Sequence, residues 1–373
     1  MAVAPRPTLT RPGDLPGSPD LLRALERHFT RAEPRDSALA YVRALLADPA
    51  AGNAAGVAAQ AGAGSAWSTQ RLLTRTVWDA DLLRDSVRAY AVALLGASGA
   101  VAVLGRHETA RLGTGAVATA PAAARGPGRG RSTQVAALLC YVSHGTGALI
   151  DRELHLPPHW TADPARCARA GVPPERVRPR GMADLGQEML DRALAAGVPI
   201  GGVLGGPDFA HPHLREWLCR RRLPFCVELP QLPQPPGRSD AAAGRADSGR
   251  EEVWQLLGRG LGSVYGHPAP GFRLSMLARR LPSGRTARYL LHMPAAAPDV
   301  PAAQALAAAG STAARAVHEA ASRAGLSSHQ VRSWVAWYRH TTLAMTAAAL
   351  LWEPGPGVRA ADRGPARPAG PAD

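Results

Sequence analysis

Apolar residues recur at helical spacing early in the chain. Ser18-Pro19-Asp20 reads as a helix start, with a capping Ser and Pro at the first helical position. Leu21, Leu22, Leu25 and Phe29 then share one face. A second helix is predicted over Ser37–Ala47, with Leu39, Val42, Leu45 and Leu46 inward, and a third over about Ser68–Leu95. The pattern then changes. Val101–Leu104 and Val135–Val142 are short apolar runs that read as strands, and the Gly-rich RGPGRGR at Arg125–Arg131 reads as a basic turn between them. Asp184–Leu194 is an amphipathic helix, Val198–Leu204 a buried strand, Leu214–Arg222 a helix and Pro224–Leu229 a strand. Residues 230–250 read as loop, and Phe272–Leu277 and Arg288–Met293 as two strands inside an inserted segment. Helices over Ala302–Ala324 and Trp334–Trp352 close the pattern. Strands alternating with helices argue for an α/β core.

The predicted division is therefore 1–17 disordered, 18–97 helical, 98–229 with 301–353 as the core, 230–300 inserted, and 354–373 a disordered tail. At 373 residues, with 46% hydrophobic and 19% charged, the chain can bury a sizeable core. Gly (39) and Pro (34) point to many loops. All 43 basic residues are arginine, and the net charge is +14. Codon bias accounts for Arg over Lys. The excess over 29 acids favours a polyanion partner, because the guanidinium fork matches phosphate. Cys140, Cys167, Cys219 and Cys226 form no CxxC pair, so neither zinc nor a disulfide framework is expected, and a reducing cytoplasm fits. The start lacks a signal-peptide core. No apolar run reaches the ~20 residues of a membrane helix.

Several ordered motifs carry a family resemblance. They are Arg31-Ala32-Glu33-Pro34-Arg35, Tyr41-Val42-Arg43, Gln70-Arg71-Leu72-Leu73 and Trp78-Asp79-Ala80-Asp81 in the helical part. Ala148-Leu149-Ile150-Asp151-Arg152-Glu153-Leu154 follows, with Leu156-Pro157, Trp160-Thr161, Arg166-Cys167 and Ala196-Gly197-Val198-Pro199. The series ends at Val331-Arg332-Ser333-Trp334 and Trp337-Tyr338-Arg339-His340. From about Phe29 to Leu351 the chain resembles transposases of the insertion-sequence 701 type, within the DDE superfamily endonucleases. The resemblance implies a ribonuclease H-like core with a helical N-terminal unit and an insertion before the last catalytic helix.

It also implies a chemistry. Such enzymes cut and join DNA by in-line displacement at phosphorus, with two Mg²⁺ ions roughly 4 Å apart held by two Asp and one Glu. Mg²⁺ requires oxygen ligands, which is why carboxylates are kept. The three family positions fall here on His107, Gly206 and Ala314. None carries a carboxylate, so no cofactor is expected and catalysis is expected to be impaired. The resemblance thus describes a degenerate or repurposed transposase. The alternative is an active, Mg²⁺-dependent enzyme using the displaced acids Glu108, Asp208 and Glu319. DNA is the expected partner in either case, through Arg125, Arg129, Arg131, Arg180 and Arg339. Self-association into a homo-oligomer stays open, and no membrane partner is expected.

Other candidates read less well. His155 and His159 have a metal-pair spacing, but Pro157 and Pro158 interrupt any regular helix. His211-Pro212-His213 reads as exposed loop. Ser132 and Ser143, the latter beside His144, lack a nucleophile elbow. Gly126–Gly130 lacks the Gly-Lys-Ser/Thr of a P-loop. Asp151 and Glu153 fall on one strand face, where an arginine partner is expected. Trp334 and Trp337 read as core.

Overall fold

The computed structural model describes residues 19–49, 66–121, 131–230, 254–259, 265–280 and 286–351. The expected disordered ends 1–17 and 354–373, and most of the 230–250 loop, lie outside the described residues. The chain divides into two compact units. The first takes the described residues of Met1–Ser98, His318–Gln330 and Ala336–Asp373; the second is Gly99–Val317 with Val331–Val335. The expected core run 301–353 is thus divided, and most of Trp334–Leu350 groups with the N-terminal helices.

The first unit contains α1 (Pro19–Arg27), α2 (Ala32–Ala47), α3 (Ala66–Thr74) and α4 (Ala80–Leu95). The single helix predicted over Ser68–Leu95 is two. Asp79 is the reason: its carboxylate accepts from the backbone N–H groups of Asp81 (2.7 Å) and Leu82 (3.3 Å), which starts a new helix there. Leu21, Leu25, Leu45, Leu72, Leu83 and Val87 are buried. Phe29 packs on Trp78 with ring centroids 5.4 Å apart. Trp337 is buried as expected, and the Tyr41 hydroxyl meets His340 Nδ1 at 2.8 Å.

Among the described residues the second unit is built on a nine-stranded mixed sheet. Its strands are β1 (Val101–Leu112), β2 (Thr119–Pro121), β3 (Arg131–Ser143), β4 (Thr146–Leu154), β5 (Gly202–Gly205), β6 (Phe225–Glu228), β7 (Trp254–Arg259), β8 (Phe272–Arg280) and β9 (Thr286–Pro294). The order is β2-β3-β1-β5-β6-β9-β8-β7, with β4 also on β3. β1, β3 and β4 are antiparallel, while β1, β5 and β6 run parallel. This mixed α/β arrangement is consistent with a ribonuclease H-like nuclease fold. The strands of the expected insertion do not stand apart: β9 pairs antiparallel with β6 and extends the same sheet.

Two strand boundaries differ from the pattern. β1 runs past Leu104 to Leu112, because its second half pairs with β3 out to Leu112 opposite Arg131. His107-Glu108-Thr109-Ala110 therefore lies inside the strand rather than after it. β5 begins only at Gly202. Helices α5 (Pro158–Thr161), α6 (Pro164–Arg169), α7 (Met182–Ala195) and α8 (Pro212–Arg220) follow the strands. α9 (Asp299–Arg323) and α10 (Trp334–Leu350) end the described chain. The glycines of β5 and α9 have a packing reason. A Cβ on Gly202 would lie 2.8 Å from the Leu306 side chain, and one on Gly310 2.7 Å from Leu204. Their absence lets α9 sit close on the strand. Among the described residues no helix is long and apolar enough to cross a membrane.

Candidate functional site

β1 and β5 are neighbouring parallel strands, with Leu104 opposite Gly205. Beyond this point β1 continues as Gly105-Arg106-His107-Glu108, and β5 gives way to Gly206 and a short turn over Pro207–Phe209. Strand alternation puts Arg106 and Glu108 on one side. Both are exposed, and Asp208 reaches Arg106 from the turn. Arg106 Nε and Nη2 donate to Glu108 Oε1 at 2.8 and 2.5 Å, and Nη1 donates to Asp208 Oδ1 at 3.2 Å. One guanidinium thus joins two of the three displaced acids. Burial alone would lower the Arg106 pKa, but the hydrogen bonds to Glu108 and the charge of Asp208 raise it.

His107 is on the opposite side of β1, and burial lowers its pKa despite the neighbouring Glu108. A neutral imidazole is a nitrogen ligand, better suited to Zn²⁺ than to Mg²⁺. Gly206 has φ −73°, and a Cβ added there meets nothing within 4 Å. Ala314 is exposed on α9, between buried Ala313 and Arg315, which donates to the Gly145 carbonyl at 3.1 Å. Glu319, the third displaced acid, belongs to the first unit. Among the described residues, no group of three or more His, Cys, Asp or Glu could hold a metal ion.

The arginines expected to meet DNA divide sharply. Arg125 and Arg129, with the Gly126–Gly130 stretch, lie outside the described residues; Arg131 is exposed at the start of β3. Arg180 is a correction. Its side chain is only 7% exposed, and Nη1 binds both oxygens of Glu188 at 2.8 and 2.6 Å. Arg339 is another. It is buried, donates to the carbonyls of Leu72, Leu73 and Trp78 at 3.4, 3.3 and 3.0 Å, and stacks over the Trp78 ring. Both guanidinium groups are engaged within the protein and face no solvent phosphate.

An ionic network missed at Arg180 extends under β4. Asp151 and Glu153 are fully buried, and Arg192 on α7 pairs with them at 3.0 and 2.8 Å, the arginine partner that the strand spacing predicts. Arg176 links Glu153 to Glu188 at 3.3 and 3.1 Å, and Arg178 adds to Glu188 at 3.3 Å. Glu188 and Arg192 are four apart on α7, a second sequence signal for this arrangement beside the Asp151 and Glu153 spacing.

The remaining candidates have structural partners. Ser143-His144-Gly145-Thr146 is a tight hairpin turn with positive φ at His144 (48°) and Gly145 (73°), as a type I′ turn requires, so Ser143 and His144 serve the backbone. Ser132 donates to the Gly113 carbonyl at 2.5 Å. His159 Nε2 meets the Thr119 carbonyl at 3.0 Å. His155 has its pKa lowered by burial and by nearby Arg106 and Arg180. His211 is exposed and non-helical at the N-cap position of α8, with no side-chain cap, whereas Pro212 and His213 lie in that helix rather than in a loop, and His213 reaches Asp184 at 3.1 Å. The four cysteines are buried free thiols, and burial pushes Cys140 and Cys226 up to about 12, so they are not thiolates at neutral pH.

Residues 24–232, more than half of the chain, match the family described as DDE superfamily endonuclease. No curated protein matches. Among solved structures the chain is similar to piggyBac transposase in a synaptic complex with hairpin DNA, determined by cryo-EM. The identity is 8%, over 90% of this chain and 72% of that one, with a TM-score of 0.44.

Proposed function

The chain belongs to the DDE superfamily endonucleases, and from that membership we propose that it is a transposase homologue of the insertion-sequence 701 type that holds DNA without cutting it. The observation that carries this reading is the Arg106 bridge. The acids nearest two family positions, Glu108 and Asp208, are engaged with a guanidinium at 2.5 and 3.2 Å. The two Mg²⁺ ions of the family do not fit the residues here. His107, Gly206 and Ala314 offer no oxygen donor from a side chain, and the hard Mg²⁺ ion needs such donors in an octahedron. No hydrolytic or strand-transfer step is therefore derived.

The net charge of +14, all of it arginine on the basic side, supports a DNA partner. Exposed arginines make phosphate contacts that position a duplex without reading its sequence. The segment 230–300 is read as an insertion that lengthens the sheet through β7, β8 and β9.

Titration of a labelled duplex from the ends of the protein's own element tests both halves. Binding should weaken linearly in log affinity with log salt, with a slope of about −0.9 per phosphate contacted. No strand should be nicked in Mg²⁺ or Mn²⁺. Absence of binding at low salt would refute the partner, and metal-dependent nicking lost on Glu108→Gln or Asp208→Asn would instead establish the displaced-acid enzyme.

A further inference from the structure

We infer that the C-terminal end of α8 is a second duplex-contact surface, on which Arg222 and its neighbours hold backbone phosphates at the end of the sheet remote from Glu108 and Asp208. This rests on the reading that DNA is the partner, but not on loss of the metal centre.

The backbone carries the inference first. α8 ends in a Schellman motif: the Arg222 N–H bonds to the Cys219 carbonyl at 2.9 Å, and the Leu223 N–H to that of Leu218 at 3.1 Å. Arg222 takes the left-handed position, with φ 55°. That position favours glycine, because a Cβ there crowds the following carbonyl oxygen. α6 and α7 end in the same pair of bonds, and each has glycine at the matching place, Gly171 and Gly197, both with φ 72°. Glycine is not scarce in a chain that has 39 of them. A strained backbone kept at one position points to a use for its side chain.

The side chain agrees. Arg222 is exposed, and no hydrogen bond or ion pair joins it to the described residues. Its neighbours Arg220 and Arg221 are exposed too, near Glu216 at 3.9 Å and on Asp191 at 2.6 Å. Those two cations already complement the carbonyl end of the helix, so the helix dipole does not require a third.

The sheet register places a further arginine at the same end. Val101 pairs with Val142 and Gly202, and Val203 with Phe225, so the Ser143–Thr146 hairpin and Arg222 lie at one end of the strands. Arg315, exposed on α9, is tied to that hairpin through the Gly145 carbonyl. β3, β1, β5 and β6 are successive strands, so hairpin and helix end are about 14 Å apart. Duplex DNA carries one charge per ~1.7 Å of axis, so a backbone laid along this end meets several phosphates. Such contacts position a duplex without reading its sequence.

The probe is a labelled duplex of arbitrary sequence, titrated by fluorescence anisotropy with the full chain and no divalent metal. Arg222→Gly should raise Tm by about 2–4 °C as the strain is released. The same variant should bind about eightfold more weakly at about 0.1 M salt, and the steepness of its log affinity–log salt line should fall by about 0.9, the loss of one phosphate contact. Adding Arg315→Gln should lower the steepness by about 0.9 again. Arg23→Gln removes the same charge from exposed α1 and should change affinity less than about twofold. A loss under about threefold in Arg222→Gly, or one matched by Arg23→Gln, overturns the inference. So does a Tm that does not rise, or no further fall on adding Arg315→Gln. Wild-type protein that binds no duplex at low salt refutes the DNA reading and this surface with it. Wild-type binding that Arg222→Gly leaves intact overturns the surface alone.

Discussion

Replacing Arg192 with Met should destabilise the sheet-bearing unit substantially. Arg192 joins two carboxylates that are almost wholly removed from water: Asp151 at 3.0 Å and Glu153 at 2.8 Å, with side chains 0% and 2% exposed. Removing one partner of a buried pair leaves an uncompensated charge, which typically costs about 3–5 kcal/mol. Here some compensation remains. The Arg152 backbone N–H still donates to Asp151 at 2.8 Å, and Arg176 still reaches Glu153 at 3.3 Å. The lower end, about 3 kcal/mol, is therefore expected. For a unit of this size each kcal/mol moves Tm by roughly 2–4 °C, so the melting transition should fall by about 6–12 °C. Differential scanning calorimetry reads this directly. The triple variant Arg192→Met/Asp151→Asn/Glu153→Gln should recover at least about 1 kcal/mol, since its charges are removed together. A fall under about 2 °C in the single variant, or no recovery in the triple, would refute the reasoning.

Three further outcomes are expected. Gly325 follows α9 in a left-handed conformation (φ 67°), with Leu326 N–H bonded back to the Ala320 carbonyl, and a Cβ there would lie 2.7 Å from Leu45. Gly325→Ala should cost about 1–2 kcal/mol in a urea titration, and an unchanged midpoint would contradict this. Burial alone would raise the Glu188 pKa, but hydrogen bonds from Arg180 and the charges of Arg180, Arg176 and Arg192 hold it below its ordinary value of 4.5. A depressed carboxylate contributes its full stability above the unfolded pKa and loses it as pH falls through the folded one. The stability gap between wild type and Glu188→Gln should thus be complete at pH 6 and close below about pH 4.5; a gap constant down to pH 3 would contradict the assignment. Gly206→Asp should shift stability by no more than about 0.5 kcal/mol, because a Cβ there meets nothing within 4 Å. A large drop in Tm would show that the position is closed to a carboxylate.

Much of the fold is legible in the residues. Leu21 and Leu25 mark the first helix at helical spacing, although it ends at Arg27 and Phe29 lies beyond it, and the apolar runs at Val135–Val142 and Pro224–Leu229 mark core strands. The second half of β1 was not legible, because Arg106, Glu108 and Ala110 face outward and break the apolar run; only pairing with β3 reveals it. β7 escaped for the same reason, as an exposed edge strand with little alternation. The break at Trp78-Asp79 was readable in principle, since Asp is a strong N-cap residue.

The site was half legible. Arg106 and Glu108 two apart on a strand predict a shared face. Asp208 lies 102 residues away and joins them only through the β1–β5 pairing. Arg180 and Arg339 show the opposite failure. An arginine in an overall basic chain reads as a phosphate ligand, yet Glu188 and three backbone carbonyls already hold these two. Charge identifies candidates, and burial decides among them.

The central claim is DNA binding without scission. Its most direct test is a denaturing gel of labelled element-end duplex recovered from the salt-sensitive complex after incubation in Mn²⁺. The account predicts that every strand recovered from the complex is full length. Shortened strands that appear only with the metal present, and disappear when Glu108 or Asp208 is neutralised, would contradict it.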